Sequence, residues 1–375
     1  MCRIVERVPH QNIKWQPSAS LDSGVISSIV VLDTVDSTNT LVARALEAST
    51  YSDARDRVER LFGGGESTTS TGTVKGLASG TRGKAEDRPR KNARQGVSTT
   101  TRYEGRVASK GIRRWPGAGG STMPLSVAVA DAQSRCRGRL ARTWVNQPRR
   151  SLLATWALPL PTSLLTGPFG GWMPMVAGLA ALEGLQDVLE HHGCPLADGG
   201  DPERVLTLKW PNDLFCRGAK LGGILCELVR VDQDWSALAV GIGINLLLPR
   251  QALPIAQSTS LQLHYQGLPD YQTLRDDLVD AISWHLSGEM APFGIDGALD
   301  RTLNGPQGLR SRIAALSWTL GRRVRVVPVA GEPVEGRALQ INPDASLRVR
   351  LPDGGQVDVS TADVGVLPEV AAVGA

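Results

Sequence analysis

The sequence is short of paired cysteine. Its five cysteines, Cys2, Cys136, Cys194, Cys216 and Cys226, are odd in number and scattered, with no CxxC pair and no histidine at zinc-ligand spacing from them. That pattern indicates neither a disulfide framework nor a structural zinc. Long apolar runs are missing as well: nothing reaches the roughly 18 uninterrupted apolar residues that would span a bilayer as a helix. The stretch from Met1 to Asn12 is charged and lacks the apolar centre of a secretory signal, while the apolar run from Val25 to Leu32 is too short and too late to serve as one. A cytoplasmic address without membrane contact is the expectation. Internal repeats and coiled-coil heptads are also wanting.

What the chain does have is length and an ordinary apolar content. At 375 residues and 41% apolar it can build a large core and a second, small domain. The formal net charge of +4 does not describe the whole chain. Residues Gly63 to Thr122 hold 12 Lys/Arg against 4 Asp/Glu, so the remainder sums to about −4. The basic character therefore belongs to one segment, which is also poor in aliphatic periodicity and rich in Gly, Ser and Thr. It is expected to be a disordered insertion, either passive or in contact with an acidic partner or nucleic acid.

Around that insertion the periodicities alternate. Ile29 to Leu32 suits a strand, and Thr40 to Leu46 places Leu41, Ala45 and Leu46 near one helical face. Pro124 to Ala130 and Ser151 to Leu158 read as buried strands, and Trp172 to His192 as a helix. Val205 to Lys209, Gly222 to Val231 and Leu238 to Ile244 read as strands able to pair in an antiparallel meander. Leu274, Leu278 and Ile282 mark a further helix. From Trp318 onward short strands alternate with turn signals such as Asn342-Pro343-Asp344, as in a small independent β-barrel.

Four local patterns carry chemistry. Asp36-Ser37-Thr38-Asn39 stands between a strand and a helix, where short hydroxyl and amide side chains either cap the helix or form a polar socket for a small ligand. The segment from Gln133 to Trp144 holds four arginines within eight residues, interrupted by Gly138. Like charges at that density repel one another without an anion, so phosphate binding and ordering would be one event; the bland alternative is a solvated basic loop. An arginine about 4 Å from a phosphate oxygen gains ~4 kcal/mol at an effective dielectric near 20, before desolvation. Lys209-Trp210-Pro211-Asn212-Asp213, followed by Lys220-Leu221-Gly222-Gly223-Ile224-Leu225, puts a lysine at the end of an apolar strand. Its charge needs a partner, either Asp213 structurally or an anionic substrate. Gly241-Ile242-Gly243-Ile244-Asn245 ends a strand and is weak by itself, because no third glycine opens a helix as a dinucleotide fingerprint requires.

In this order and at these intervals, the four patterns closely resemble the biotin protein ligase family, in a form without an N-terminal winged helix. The resemblance covers most of Val30 to Leu248 outside the insertion and continues loosely into the tail. It implies an α+β fold: a mixed-sheet catalytic domain related to class II aminoacyl-tRNA synthetases, with a C-terminal barrel of the Src-homology-3 type. The corresponding boundaries are an N-terminal tail over 1–22, a catalytic domain over 23–315 with the insertion at 63–122, and the barrel over 316–375.

The resemblance also implies chemistry: biotin and ATP form biotinyl-5'-AMP, and the biotinyl group passes to a lysine of the biotin carboxyl carrier domain of a biotin-dependent carboxylase. Ser37, Thr38 and Asn39 would hold the ring end of biotin, with Gln133 lining the same pocket. Arg137, Gly138 and Arg139 would belong to a loop over the adenylate, braced by Arg142 and Trp144. Lys209 would contact the reacting carboxylate and phosphate, with Mg²⁺ offsetting charge, and Asn245 would approach the adenine. Lys209, Arg137 and Arg139 are the expected catalytic groups. About 30 residues before the first strand are too few for a winged helix, so DNA binding is not expected; a homodimer is left open. Rival readings are a lipoate or octanoate ligase, and a nucleic-acid-binding regulator acting through the insertion.

Two departures stand out. Where relatives carry Thr-Ala-Gly before Arg-Gly-Arg and a glycine before the last arginine, this chain has Ser134, Arg135, Cys136 and Ala141. If those glycines were left-handed, cysteine or alanine there would be strained by roughly 1 kcal/mol or more, and adenylate retention would suffer. His191 and His192 read as partners of a helix C-terminal dipole rather than metal ligands.

Overall fold

The computed structural model describes residues 24–49, 52–62, 100–103, 123–139, 144, 146–167, 169–200, 205–230, 233–294, 299–304, 308–328, 331–360 and 362–367. In chain order the larger unit comprises β1 (Ile26–Leu32), α1 (Thr38–Glu47), α2 (Ala54–Glu59), β2 (Thr100–Tyr103), β3 (Leu125–Ala130), β4 (Ser151–Pro161), α3 (Thr162–Thr166) and α4 (Met173–His191). It continues with β5 (Leu206–Lys209), β6 (Asp213–Cys216), β7 (Ala219–Arg230), β8 (Trp235–Asn245), α5 (Tyr271–Met290), α6 (Leu299–Asn304) and α7 (Leu309–Ala315). Eight strands form one sheet in the order β2-β1-β3-β4-β8-β7-β6-β5. The β1–β3 pair is parallel and the rest are antiparallel, so the sheet is mixed.

The continuous apolar run of β4 follows from cover on both faces: its first ten residues are all buried. On one face lie α4 and α5. The Trp156 indole donates to Ser283 Oγ of α5 at 2.8 Å. A Cβ on Gly184 of α4 would sit 3.0 Å from the Ile282 backbone nitrogen, so glycine there permits the close helix crossing. On the opposite face α1 and α2 cover only one end, where Val42, Leu46 and Val58 pack against Val30, Ala128, Ala157 and Ala239. That incomplete cover leaves the β7–β8 end of the sheet open on the same side.

A second, five-stranded antiparallel sheet is built from β9 (Arg323–Pro328), β10 (Val334–Ile341), β11 (Leu347–Arg350), β12 (Gln356–Val359) and β13 (Ala362–Val366), in the order β12-β11-β10-β9-β13. It is tied to the first. The free side of β5 exchanges backbone hydrogen bonds with the connecting segment, Leu208 N to Leu316 O at 2.8 Å and Trp318 N to Leu208 O at 2.7 Å. The indoles of Trp172 and Trp210 donate to the carbonyls of Pro343 at 2.7 Å and Ala345 at 3.0 Å.

The expected elements are present, with strands β4, β7 and β8 longer than their sequence patterns suggest. Several short elements have no counterpart in the sequence reading: the helices α2, α3, α6 and α7, and β6, only four residues directly after the Pro211-Asn212 turn. The expectation of disorder across Gly63 to Thr122 fails at Thr100–Tyr103, which pairs with β1 from Ile29↔Tyr103 to Leu32↔Thr100. The remaining residues of that segment lie outside the described ones.

Candidate active site

Strand register assembles the site. Because side chains alternate across a strand, the pairings Lys209↔Asp213, Asp213↔Gly223, Gly223↔Gly243 and Gly243↔Leu153 set five residues from five strands in one row. Leu225↔Gly241 and Gly241↔Thr155 set a second row beside it. The first row, with Leu225 and Gly241 of the second, floors a cavity of about 310 Å³, walled by Ser37, Thr38 and Asn39 at the start of α1, by Gln133 and Cys136 to Arg139, and by Val364 of the second sheet.

The socket end is rigidly wired. Ser37 is the N-cap of α1, its hydroxyl accepting from Thr40 N at 3.5 Å, and it also faces the cavity. Thr155 Oγ1 lies 2.8 Å from Thr38 Oγ1 and 2.7 Å from Asn39 Oδ1. A hydroxyl has one proton and the amide oxygen only accepts, so Thr155 donates to Asn39 and receives the Thr38 proton. Both Asn39 Nδ2 protons are used, on Leu225 O at 3.1 Å and Glu227 Oε2 at 2.8 Å. What Asn39 has left for a ligand is one acceptor lone pair. Gln133 reaches the same place, with Nε2 and Oε1 each 3.4 Å from Thr38 groups.

The glycines of the GxGxN pattern now have reasons. A Cβ on Gly241 would lie 1.9 Å from Asn39 Oδ1, and one on Gly243 would lie 3.2 Å from the Trp144 ring. Gly222 accommodates the Gly243 carbonyl, which a Cβ there would approach to 2.5 Å. Asn245 Nδ2 donates to Thr259 O at 2.9 Å, while its buried Oδ1 has no partner among the described residues. Such an orphan acceptor is costly unless a donor arrives.

The other end is cationic. Asp213 receives Lys220 Nζ at 2.6 Å and Lys209 Nζ at 3.5 Å, so one carboxylate serves two lysines. Lys220 also stands 5.8 Å from the centre of the Trp144 ring. Arg137 pairs with Glu227 at 2.8 Å, and Arg139 donates to Asn212 Oδ1 at 3.0 Å. Among the lining residues four cations, Arg137, Arg139, Lys209 and Lys220, face the single carboxylate of Asp213. On β7, just outside the cavity lining, burial pushes the Cys226 thiol up to about 12. Among the described residues no group of three or more His, Cys, Asp or Glu could hold a metal.

Of the residues singled out in the sequence, Ser37, Thr38, Asn39, Gln133, Arg137, Gly138, Arg139, Trp144, Lys209 and Asn245 all line this one cavity. Arg142 and Ala141 lie outside the described residues. One expectation needs correction: the non-glycine residues with positive φ among the described ones are Arg149, Arg217 and Ala345, so Cys136 carries no left-handed strain. Its thiol instead accepts from Asn146 Nδ2 at 2.7 Å, across the neck of the loop. Sequence reading missed Thr155, Glu227 and a role for Lys220. The first two sit inside strands with no local signal, and only register brings them to α1. His192 binds Asp277 at 2.7 Å, a helix-to-helix tie.

A polar socket and an excess of cations share one cavity of this α+β unit, which defines a small-molecule site with a neutral polar end and a cationic end. Residues 120–245 match the model of the biotin/lipoate A/B protein ligase family. A "Biotin--[acetyl-CoA-carboxylase] ligase" of Mycobacterium tuberculosis is 30% identical over 250 residues, 66% of this chain and 81% of that protein. "Biotin--protein ligase 1, chloroplastic" of Arabidopsis thaliana is 32% identical over 127 residues, but the chain spans only 31% of its length. Among solved structures, the biotin protein ligase of Aquifex aeolicus in complex with biotin and ATP is similar at 21% identity and a TM-score of 0.48, over 65% of this chain and 89% of that one. The chain belongs to the biotin protein ligase family. Among the described residues, no helix is long and apolar enough to cross a membrane.

Proposed function

We propose that the chain joins biotin to ATP, forming biotinyl-5'-AMP and pyrophosphate, and then transfers the biotinyl group to a carrier lysine. The observation that carries the reading is the convergence of four cations and a wired polar socket on one cavity. Biotin carboxylate and the α-phosphate are both anionic, and their approach is repulsive unless fixed positive charge faces them. A carboxylate oxygen attacks the α-phosphorus and the bond to pyrophosphate breaks. In the second step the carrier amine attacks the acyl carbon, AMP leaves, and the amine nitrogen loses a proton.

In this reading the Ser37 hydroxyl donates to the ureido carbonyl, the spare lone pair of Asn39 accepts a ureido N–H, and Thr38 and Gln133 complete the wall. Lys209 and Lys220 neutralise the reacting carboxylate and phosphate, and are poised to do so because one aspartate cannot fully compensate both. Arg137, Gly138 and Arg139 lie over the adenylate, and Arg142 and Trp144 brace that loop. Asn245 Oδ1 takes the amino group of the adenine. Mg²⁺ would accompany the triphosphate; the residues present do not form a magnesium cage, since both Asp213 oxygens are taken by lysines.

The same reading assigns catalysis to residues 23–315, kinship with class II aminoacyl-tRNA synthetases to that unit, and an Src-homology-3-type barrel to 316–375. The acceptor is the carrier domain of a biotin-dependent carboxylase, met in the cytoplasm. The test is biotin-dependent exchange of radiolabelled pyrophosphate into ATP. The parent should exchange, octanoate should not replace biotin, and Lys209→Ala should lower exchange about 100-fold. Exchange unchanged in Lys209→Ala removes that lysine from the mechanism, and exchange driven by octanoate alone overturns the choice of acyl group.

A further inference from the structure

Glu227 stands on β7 between the two halves of the cavity wall and touches both. One carboxylate oxygen pairs with Arg137 at 2.8 Å; the other accepts from Asn39 Nδ2, also at 2.8 Å. Asn39 in turn receives Thr155, which holds Thr38, so a single carboxylate sits at the head of the socket's hydrogen-bond chain. Its side chain is only one-quarter exposed, whereas that of Arg137 is 54% exposed. A pair with one exposed member contributes little to stability. Its consequence is geometric: among the described residues one of the five guanidinium donors is occupied, by Glu227.

We infer that Glu227 is a positioning residue that fixes the amide orientation of Asn39 and the aim of Arg137 together, coupling the ring-binding end of the site to its anion-binding end. The role rests on the biotin and ATP reading above. Asn39 could present either its oxygen or its NH₂ to the cavity. With the Glu227 carboxylate and, more distantly, the Leu225 carbonyl both beside the amide, the NH₂ points at these two acceptors and the oxygen is left over Gly241. Arg137 is drawn toward the same carboxylate, so its remaining donors share an origin with the socket.

Two variants separate the two contacts. Glu227→Gln keeps an oxygen for Asn39 but loses the charge that holds Arg137. Glu227→Ala loses both. In pyrophosphate exchange, Glu227→Gln should leave the KM for biotin within about twofold of the parent while raising that for ATP about tenfold; Glu227→Ala should raise both about tenfold. Without any substrate, hydrogen exchange over residues 133–139 should be faster in both variants. A merely structural role would move both KM values together in each variant, and that result, or unchanged hydrogen exchange, overturns the inference. A parent that does not exchange pyrophosphate, with faster hydrogen exchange in the variants, would leave the tie standing and remove the ligase reading instead.

Discussion

The two ends of the cavity are built by different means. At the socket end nearly every polar valence is spoken for: Thr38, Asn39 and Thr155 satisfy one another, and Gly241 exists so that an amide oxygen can lie on the strand. At the cationic end the partners are fewer than the charges, with two lysines on one aspartate and an arginine half in solvent. The difference teaches which end recognises and which responds. A prearranged set of neutral hydrogen bonds suits a ligand whose shape never changes. Undercompensated cations suit a site where negative charge builds up during the reaction.

The largest expected effect attacks the rigid end. Gly241→Ala must displace Asn39 and should weaken biotin binding by at least about 100-fold in calorimetry, roughly 2.7 kcal/mol; a loss under threefold would mean that Asn39 is not a fixed wall. Next, Lys220→Ala should lower pyrophosphate exchange about 30-fold with biotin affinity nearly intact, because the cationic end acts on the reaction and not on the ring. Equal losses in both quantities would erase the contrast drawn above. Asn245→Ala removes the unpaired buried Oδ1, so it should raise the KM for ATP about tenfold; because it also takes the Nδ2 donor from Thr259 O, the melting temperature should fall slightly.

A smaller effect uses the covered face of the sheet as a control. His285 is buried, which works against its charge, yet hydrogen bonds to Asp187 at 2.7 Å and Glu183 at 3.3 Å outweigh that and raise its pKa to about 9. Glu183 is shared with Arg312, which also binds Glu289. Since the folded value exceeds the roughly 6.5 of a free histidine, the stabilisation is complete below that pH and fades as pH rises through about 9. His285→Gln should melt about 3 °C lower than the parent at pH 6, with the gap closing by pH 10 and substrate KM values unmoved. Smallest of all, Cys136→Gly should change adenylate retention less than twofold, as no left-handed strain is there to relieve. A longer lifetime in the variant would revive the strained-loop view.

Much of the fold was legible because its signals are local. The apolar run of β4 and the periodicity of α4 need nothing but their own residues, and Lys209-Trp210-Pro211-Asn212-Asp213 announces a strand end with a cation. Thr155 was not legible. One threonine in an apolar strand is unremarkable until the pairing with Gly241 brings it under Asn39. Glu227 was hidden for the same reason, and Cys136 misled because the glycine expected there by resemblance suggested a backbone conformation that the chain does not adopt. Sequence reveals what an element is more readily than what stands opposite it.

The Trp210 indole, anchored on Ala345, joins the small sheet to the peptide that follows Lys209. That anchorage makes the five-stranded sheet a mechanical neighbour of Lys209, with Val364 already at the cavity wall. A substitution that loosens the turn at Ala345 would therefore be felt at the cavity without touching it directly.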